Sequence, residues 1–242
     1  MRRWGNRFNC KLLYLMKLRS IYIAFEEPIS NREIIAFRSA VAEKAGRNHI
    51  LFHNHLDTKE YLYRYPRIQY KVINQRPAMM CIEEGVDEIH HFFQKPSWDL
   101  ILFDRVYKVK ISKLLVNQFN MQVWEHTFTY NLYRWHALNQ ENYNLFRNLS
   151  DEAEQVAMLN RILKGNILSF AKGIGWTIDK ELKVKIRQVL KQRWLPLKDK
   201  KVLGFDVEFD TNVFLPNYIG LGKNVSIGFG IVKKRNLKEI HE

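Results

Sequence analysis

The chain has 242 residues, 46% of them hydrophobic, enough for one large or two small packed domains and too apolar for global disorder. Lys and Arg number 39 against 25 Asp and Glu, a formal net charge of +14 that favours polyanionic partners, nucleic acid first and anionic membrane second. Two cysteines without a C-x-x-C pair, Cys10 and Cys81, exclude a zinc knuckle or a disulfide framework, and no apolar run approaches the roughly 20 residues that cross a bilayer.

The basic N-terminus (Arg2, Arg3, Arg7) carries an apolar stretch, Leu12 to Met16, too short for a signal peptide, so a cytoplasmic protein is expected. Met16 directly precedes a strand-like run, and residues 1–15 read as an upstream extension of the reading frame. Residues 17–25 alternate and predict a strand, which Pro28 breaks. Ser30 and Glu33 form an S-x-x-E capping box, and Ile34, Phe37 and Val41 follow at helical spacing. A helix is therefore expected over 31–45, stopped by Gly46. Residues 67–73 alternate again, with Ile68, Tyr70 and Val72 inward and Arg67, Gln69 and Lys71 outward. A second strand runs from Ala78 to Glu83, a helix from Gly85 to Lys95, and further strand from Trp98 to Ile111 with a hairpin about Asp104. Strand, helix, strand, strand, helix, strand is the ferredoxin-like order, shared by RNA-recognition modules.

A second unit is expected to begin near residue 118, giving domains at 16–117 and 118–242. Residues 121–136 are strand-like, and Ser150 caps a long helix with Glu152 and Glu154 in its first turn. Leu159, Leu163, Ile167 and Phe170 mark that helix's buried face, and Gly173 and Gly175 end it. Strands at 182–189 and 201–211 lead to a glycine-rich loop and a last strand, Gly228 to Lys233. The second helix of the plan is weak, since Val213 to Tyr218 holds only about one turn. The fold class expected is α+β, two tandem ferredoxin-like (RRM-like) domains, the C-terminal one with a glycine-rich loop.

That loop reads GLGKNVSIGFG, residues 220–230. It lacks the Lys-Ser/Thr pair of a nucleotide P-loop, misses the G-x-G-x-x-G spacing, and a strand follows it rather than a long helix. Its glycines permit positive φ and close backbone approach, so its N–H groups and Lys223 are candidates for nucleic-acid phosphates. The pattern G-hydrophobic-G, five residues with a basic one, then G-aromatic-G resembles the C-terminal signature of the RAMP proteins of CRISPR systems. With two ferredoxin-like halves and histidines after the first helix, the chain resembles the CRISPR repeat-processing endoribonucleases of the Cas-six family from Met16 onward. The stretches ILFHNH (50–55), YRYPRIQYK (63–71) and GNILSFAKGIGW (165–176) look like one branch of these enzymes.

His49, His53 and His55 cluster just after the first helix, and any further metal ligands lie far off in sequence. Their reading is general acid–base catalysis on RNA, which carries its own nucleophile in the 2′-hydroxyl. One base takes that proton, one acid protonates the leaving 5′-oxygen, and a cation such as Lys59 or Arg64 stabilises the phosphoryl oxygens. The resemblance implies metal-independent cleavage of CRISPR repeat RNA, leaving a 2′,3′-cyclic phosphate and a 5′-hydroxyl, with no cofactor. The family's catalytic histidine maps onto His53 or His55, with His49 third. Helix 31–45 lacks the tyrosine some members carry there, and Arg38 is the polar residue on its central turns.

Residues 180–201 hold nine Lys/Arg and two acids. Lys183, Lys185 and Arg187 would share one strand face suited to RNA phosphates, as would Arg67 and Lys71. The expected RNA-binding set is completed by Arg64, Gly220, Gly222, Lys223, Gly228 and Gly230. Asp206, Glu208 and Asp210 alternate on one strand and read as a solvated face, with a two-metal nuclease as the competing reading. The partners expected are precursor CRISPR RNA and CRISPR effector proteins, with no membrane, and the protein itself a monomer or homodimer. The alternative function is a catalytically silent RNA-binding RAMP subunit of an effector complex.

Overall fold

The computed structural model describes residues 16–53 and 65–235. Alternation makes β1 (Met16–Phe25) a central strand with both faces covered. Glu33 accepts a bond from the Ser30 N–H at 2.7 Å, yet residues 31–33 remain a turn and α1 spans Ile34–Ala45. Ile34, Phe37, Val41, Ala42 and Ala45 form its buried stripe, and Gly46, at φ 117°, ends it. A 3-10 turn, Ile50–Phe52, follows. β2 (Ile68–Ile73) and β3 (Arg76–Ile82) form a tight hairpin whose central Asn74 and Gln75 both take positive φ.

The helix expected over 85–95 is two short pieces, α2 (Glu84–Glu88) and α3 (His90–Phe93). The hairpin about Asp104 is present as β4 (Leu100–Leu102) and β5 (Arg105–Tyr107), paired only with each other. The first sheet takes its fourth strand from β6 (Ile111–Met121), antiparallel to β1. β6 is an edge strand exposed over residues 112–118, so its sequence carries no inward–outward alternation.

β7 (Val123–Trp135) opens the second unit. Two helices follow: α4 (Gln140–Asn148), capped by Asn139, and α5 (Glu152–Gly173), capped by Asp151 rather than Ser150. β8 (Val184–Leu197) and β9 (Lys200–Val213) form a long hairpin, and β10 (Ile231–Lys234) closes the sheet. The strand orders are β2-β3-β1-β6 and β10-β7-β9-β8, the same ferredoxin-like plan used twice. In the second copy, residues 214–230 replace the second helix.

The first sheet buries both faces. Ile23, Phe25, Met79 and Cys81 pack with Phe37 of α1, whereas Leu18, Tyr22, Met80 and Ile82 face the second unit's core of Trp135, Leu163, Phe170, Phe205 and Phe209. Residues 214–230 lie against the β2 edge of the first sheet, where the Tyr70 N–H donates to the Ser226 carbonyl at 3.1 Å and Tyr70 bridges Ile227 in parallel. Among the described residues, no helix is long and apolar enough to cross a membrane.

Candidate active site and RNA-binding surface

His53 ends the 3-10 turn, and three bonds hold that turn. Tyr70, wholly buried, donates its hydroxyl to the Phe52 carbonyl at 3.1 Å. The Arg38 guanidinium donates to the His53 carbonyl. The His53 ring lies with Nε2 2.8 Å from the Arg47 carbonyl. A carbonyl can only accept, so Nε2 carries the proton and Nδ1 of the neutral ring holds the lone pair. That tautomer can act as a base through Nδ1. Arg38 thus holds the turn that presents His53.

His55, Lys59 and Arg64 lie outside the described residues, as do Tyr61 and Tyr63. Tyr65, the first described residue after them, donates its hydroxyl to the Gly220 carbonyl at 2.7 Å.

His49 does not join His53. Its Nδ1 lies 3.1 Å from the Glu88 carboxylate, and its ring stacks on that of His91 with centroids 3.6 Å apart. Glu88 and His91 come from α2 and α3, 39 and 42 positions along the chain, so spacing could not place them beside His49.

Two of the outward-facing residues expected on β2 require correction. Lys71 and Gln69 are fully buried, because the loop of the second unit covers the strand's open edge and both its faces are packed. The Lys71 amine finds no hydrogen-bond partner among the described residues, and burial lowers its pKa to about 7. Arg67 pairs with Glu84 at 2.7 Å.

The glycine-rich loop is likewise a seam more than a phosphate cradle. The N–H groups of Leu221, Lys223, Ile227 and Gly230 bond to the carbonyls of Gly230, His136, Asn224 and Arg134. They are not available to phosphates, and Gly220, Gly228 and Gly230 are buried. Packing explains the glycines. A Cβ on Gly230, at φ 62°, would come within 1.8 Å of the Leu221 carbonyl oxygen. At Gly222, with φ 97°, it would meet the Trp135 ring at 2.7 Å. Gly230→Ala is accordingly expected to destabilise the fold by several kcal/mol, of the order seen for clashes combined with backbone strain. Thermal melts check this: an unchanged Tm with weakened RNA binding would return the glycine to a ligand role. Lys223, the one basic residue of the loop, reaches the surface. Beside it, His136 is buried against Asn224 at 2.7 Å, and burial, aided by the Lys223 charge, lowers its pKa to about 4.

Lys185 on β8, an edge strand, and Lys183 just before it are exposed as expected. Arg187 is exposed but tied to Asp210 at 2.8 Å and Glu208 at 3.6 Å. Arg193 clasps Asp206 and Arg235 clasps Glu208, at 2.7 and 2.5 Å. The carboxylates at 206, 208 and 210 are thus neither a solvated face nor a metal cluster; they are neutralised by arginines of neighbouring segments. Trp194 remains half-exposed on the same edge.

The chain matches the Cas6b N-terminal domain over residues 16–120 and the Cas6b C-terminal domain over 122–235. It is 38% identical over 98 residues, 40% of its own length, to MJ0978 of Methanocaldococcus jannaschii, a protein described as uncharacterized. That match spans 65% of the relative, less than two thirds of it. A Cas6b crystal structure superposes with a TM-score of 0.83 at 31% identity, covering 91% of this chain and 100% of the other. A second Cas6b, described as a CRISPR RNA processing endoribonuclease, gives 0.71 at 29% with the same coverage. A type IV Cas6 crRNA endonuclease, Csf5, at 13% identity and a TM-score of 0.54, shares the fold. Matched through both halves, the chain belongs to the Cas6b family.

Proposed function

We propose that this protein is a metal-independent endoribonuclease that cuts CRISPR repeat RNA once per repeat. The observation that carries the reading is the full-length likeness to a Cas6b described as a CRISPR RNA processing endoribonuclease, at 29% identity. The net charge of +14 and the exposed Lys183, Lys185 and Lys223 suit the RNA backbone. His53 and His55 serve as base and acid, and Lys59 or Arg64 stabilises the phosphorane-like transition state. The 2′-hydroxyl next to the scissile phosphate attacks the phosphorus, the P–O5′ bond breaks, and the products carry a 2′,3′-cyclic phosphate and a 5′-hydroxyl. The first unit supplies the chemistry and the second grips the RNA.

End-labelled repeat RNA incubated with the protein in EDTA is expected to be cut at one position, with no cut when that position carries a 2′-deoxy nucleotide. Failure to cut with or without divalent ions would leave the silent RNA-binding subunit as the better reading. Cutting only with added metal would return the metal-dependent one.

A further inference from the structure

We infer that His49, Glu88 and His91 form a binding site for a divalent transition-metal ion such as Zn²⁺, separate from the proposed cleavage chemistry. Among the described residues their ligand atoms all lie within 4.8 Å of one another. Glu88 Oε2 is 3.1 Å from His49 Nδ1 and 3.8 Å from His91 Nε2. Around a zinc-like ion with ligands at roughly 2.1 Å, neighbouring tetrahedral ligands stand about 3.4 Å apart. The two spacings to Glu88 bracket that edge, and the stacked His49 and His91 rings, 27° apart in plane, must turn so that both lone pairs meet one ion.

The donor set selects the metal. Two imidazoles and one carboxylate suit Zn²⁺, Co²⁺ or Ni²⁺, whereas Mg²⁺ demands oxygen ligands in a near-octahedral shell. Three protein ligands leave a fourth position for water. The side chains are 21%, 33% and 27% exposed, which gives an ion a way in while holding the ligands in packed surroundings.

The backbone prepares the site. Glu88 and His91 are spaced i, i+3 across the α2–α3 junction and so project to one side. His90 lies tilted against His91 with centroids 3.9 Å apart and bonds through Nδ1 to the Asp87 carbonyl, which steadies the pair of rings. His49 comes from the residue immediately before the 3-10 turn that ends at His53. A bound ion would clip that turn to α2 and α3, so the metal's effect is structural.

Titration of the untagged, EDTA-treated protein with Zn²⁺ by calorimetry tests the site, with Co²⁺ absorption reporting its geometry. Wild type and His53→Ala are each expected to bind at a single saturable site, and Mg²⁺ in excess not to compete. His49→Ala and His91→Ala are expected to weaken binding at least about tenfold. Glu88→Gln, which preserves shape and charge-neutral packing, is expected to weaken it similarly and decides the matter if either histidine variant melts early. Zn²⁺ should raise the Tm of wild type and not of Glu88→Gln. Absence of saturable Zn²⁺ binding, or binding undiminished in Glu88→Gln and His91→Ala, overturns the site. None of these readouts depends on RNA cleavage.

Discussion

His53→Ala is expected to lower the single-turnover cleavage rate of repeat RNA by roughly 10²–10⁴-fold, the usual worth of a general acid or base, while leaving RNA affinity close to wild type. The loss follows from its fixed ring. The Arg47 carbonyl commits Nε2 to donate, which sets the tautomer, and Tyr70 and Arg38 lock the turn beneath it. Substitution to alanine removes the ring and its bond to the Arg47 carbonyl but leaves the Tyr70 and Arg38 bonds to the turn's carbonyls, so the fold should survive. His55→Ala should show a loss of similar order, and the double variant a loss smaller than the product of the two, because a base and an acid of one reaction act as a unit. Arg38→Ala tests the turn separately. It removes the guanidinium that donates to the His53 carbonyl and keeps the His53 ring, so its loss should be smaller than that of His53→Ala and should leave the shape of the pH–rate profile unchanged. An undiminished rate in both histidine variants would refute the site and leave the family assignment intact.

What could be read from the sequence follows from what was local. The alternation of β1 and the apolar stripe of α1 depend on neighbours two to four residues away, and they folded as expected. Two copies of one strand order were readable because hairpins and helix crossovers follow in chain order. β6 was missed because an exposed edge strand lacks the period that betrays a buried one. α4 was missed because the polar run that opens it, from Asn139 to Asn142, resembles a loop until Asn139 is seen to cap it. The larger errors came from contacts between the halves. Nothing near Gln69 or Lys71 in sequence tells that residues 220–230 will seal the strand edge above them. The same contact turned the glycines from phosphate ligands into packing residues. His49 was read beside His53 because they are four apart, whereas the fold gives it Glu88 and His91.

Lys71→Met is expected to stabilise the protein, with a gain on the order of 4 kcal/mol at neutral pH and below. The amine is fully buried without a hydrogen-bond partner among the described residues, and burial moves its pKa from 10.5 to about 7. An ammonium ion there is held in the folded state against its desolvation cost. Between pH 7 and 10.5 the unfolded chain keeps a proton that the folded chain has released. The stability of wild type therefore rises with pH across that window, and the penalty is largest below it. Methionine keeps the long unbranched stem and fills the same space without a charge. Urea unfolding of both proteins from pH 6 to pH 10 should show the gap between them widest at the acid end and narrowing as pH rises, with RNA affinity equal for the two at each pH. A destabilised Lys71→Met, or a gap independent of pH, would mean that the amine is charged and paired in solution. Lost RNA affinity would restore Lys71 to the binding surface that the closed seam denies it.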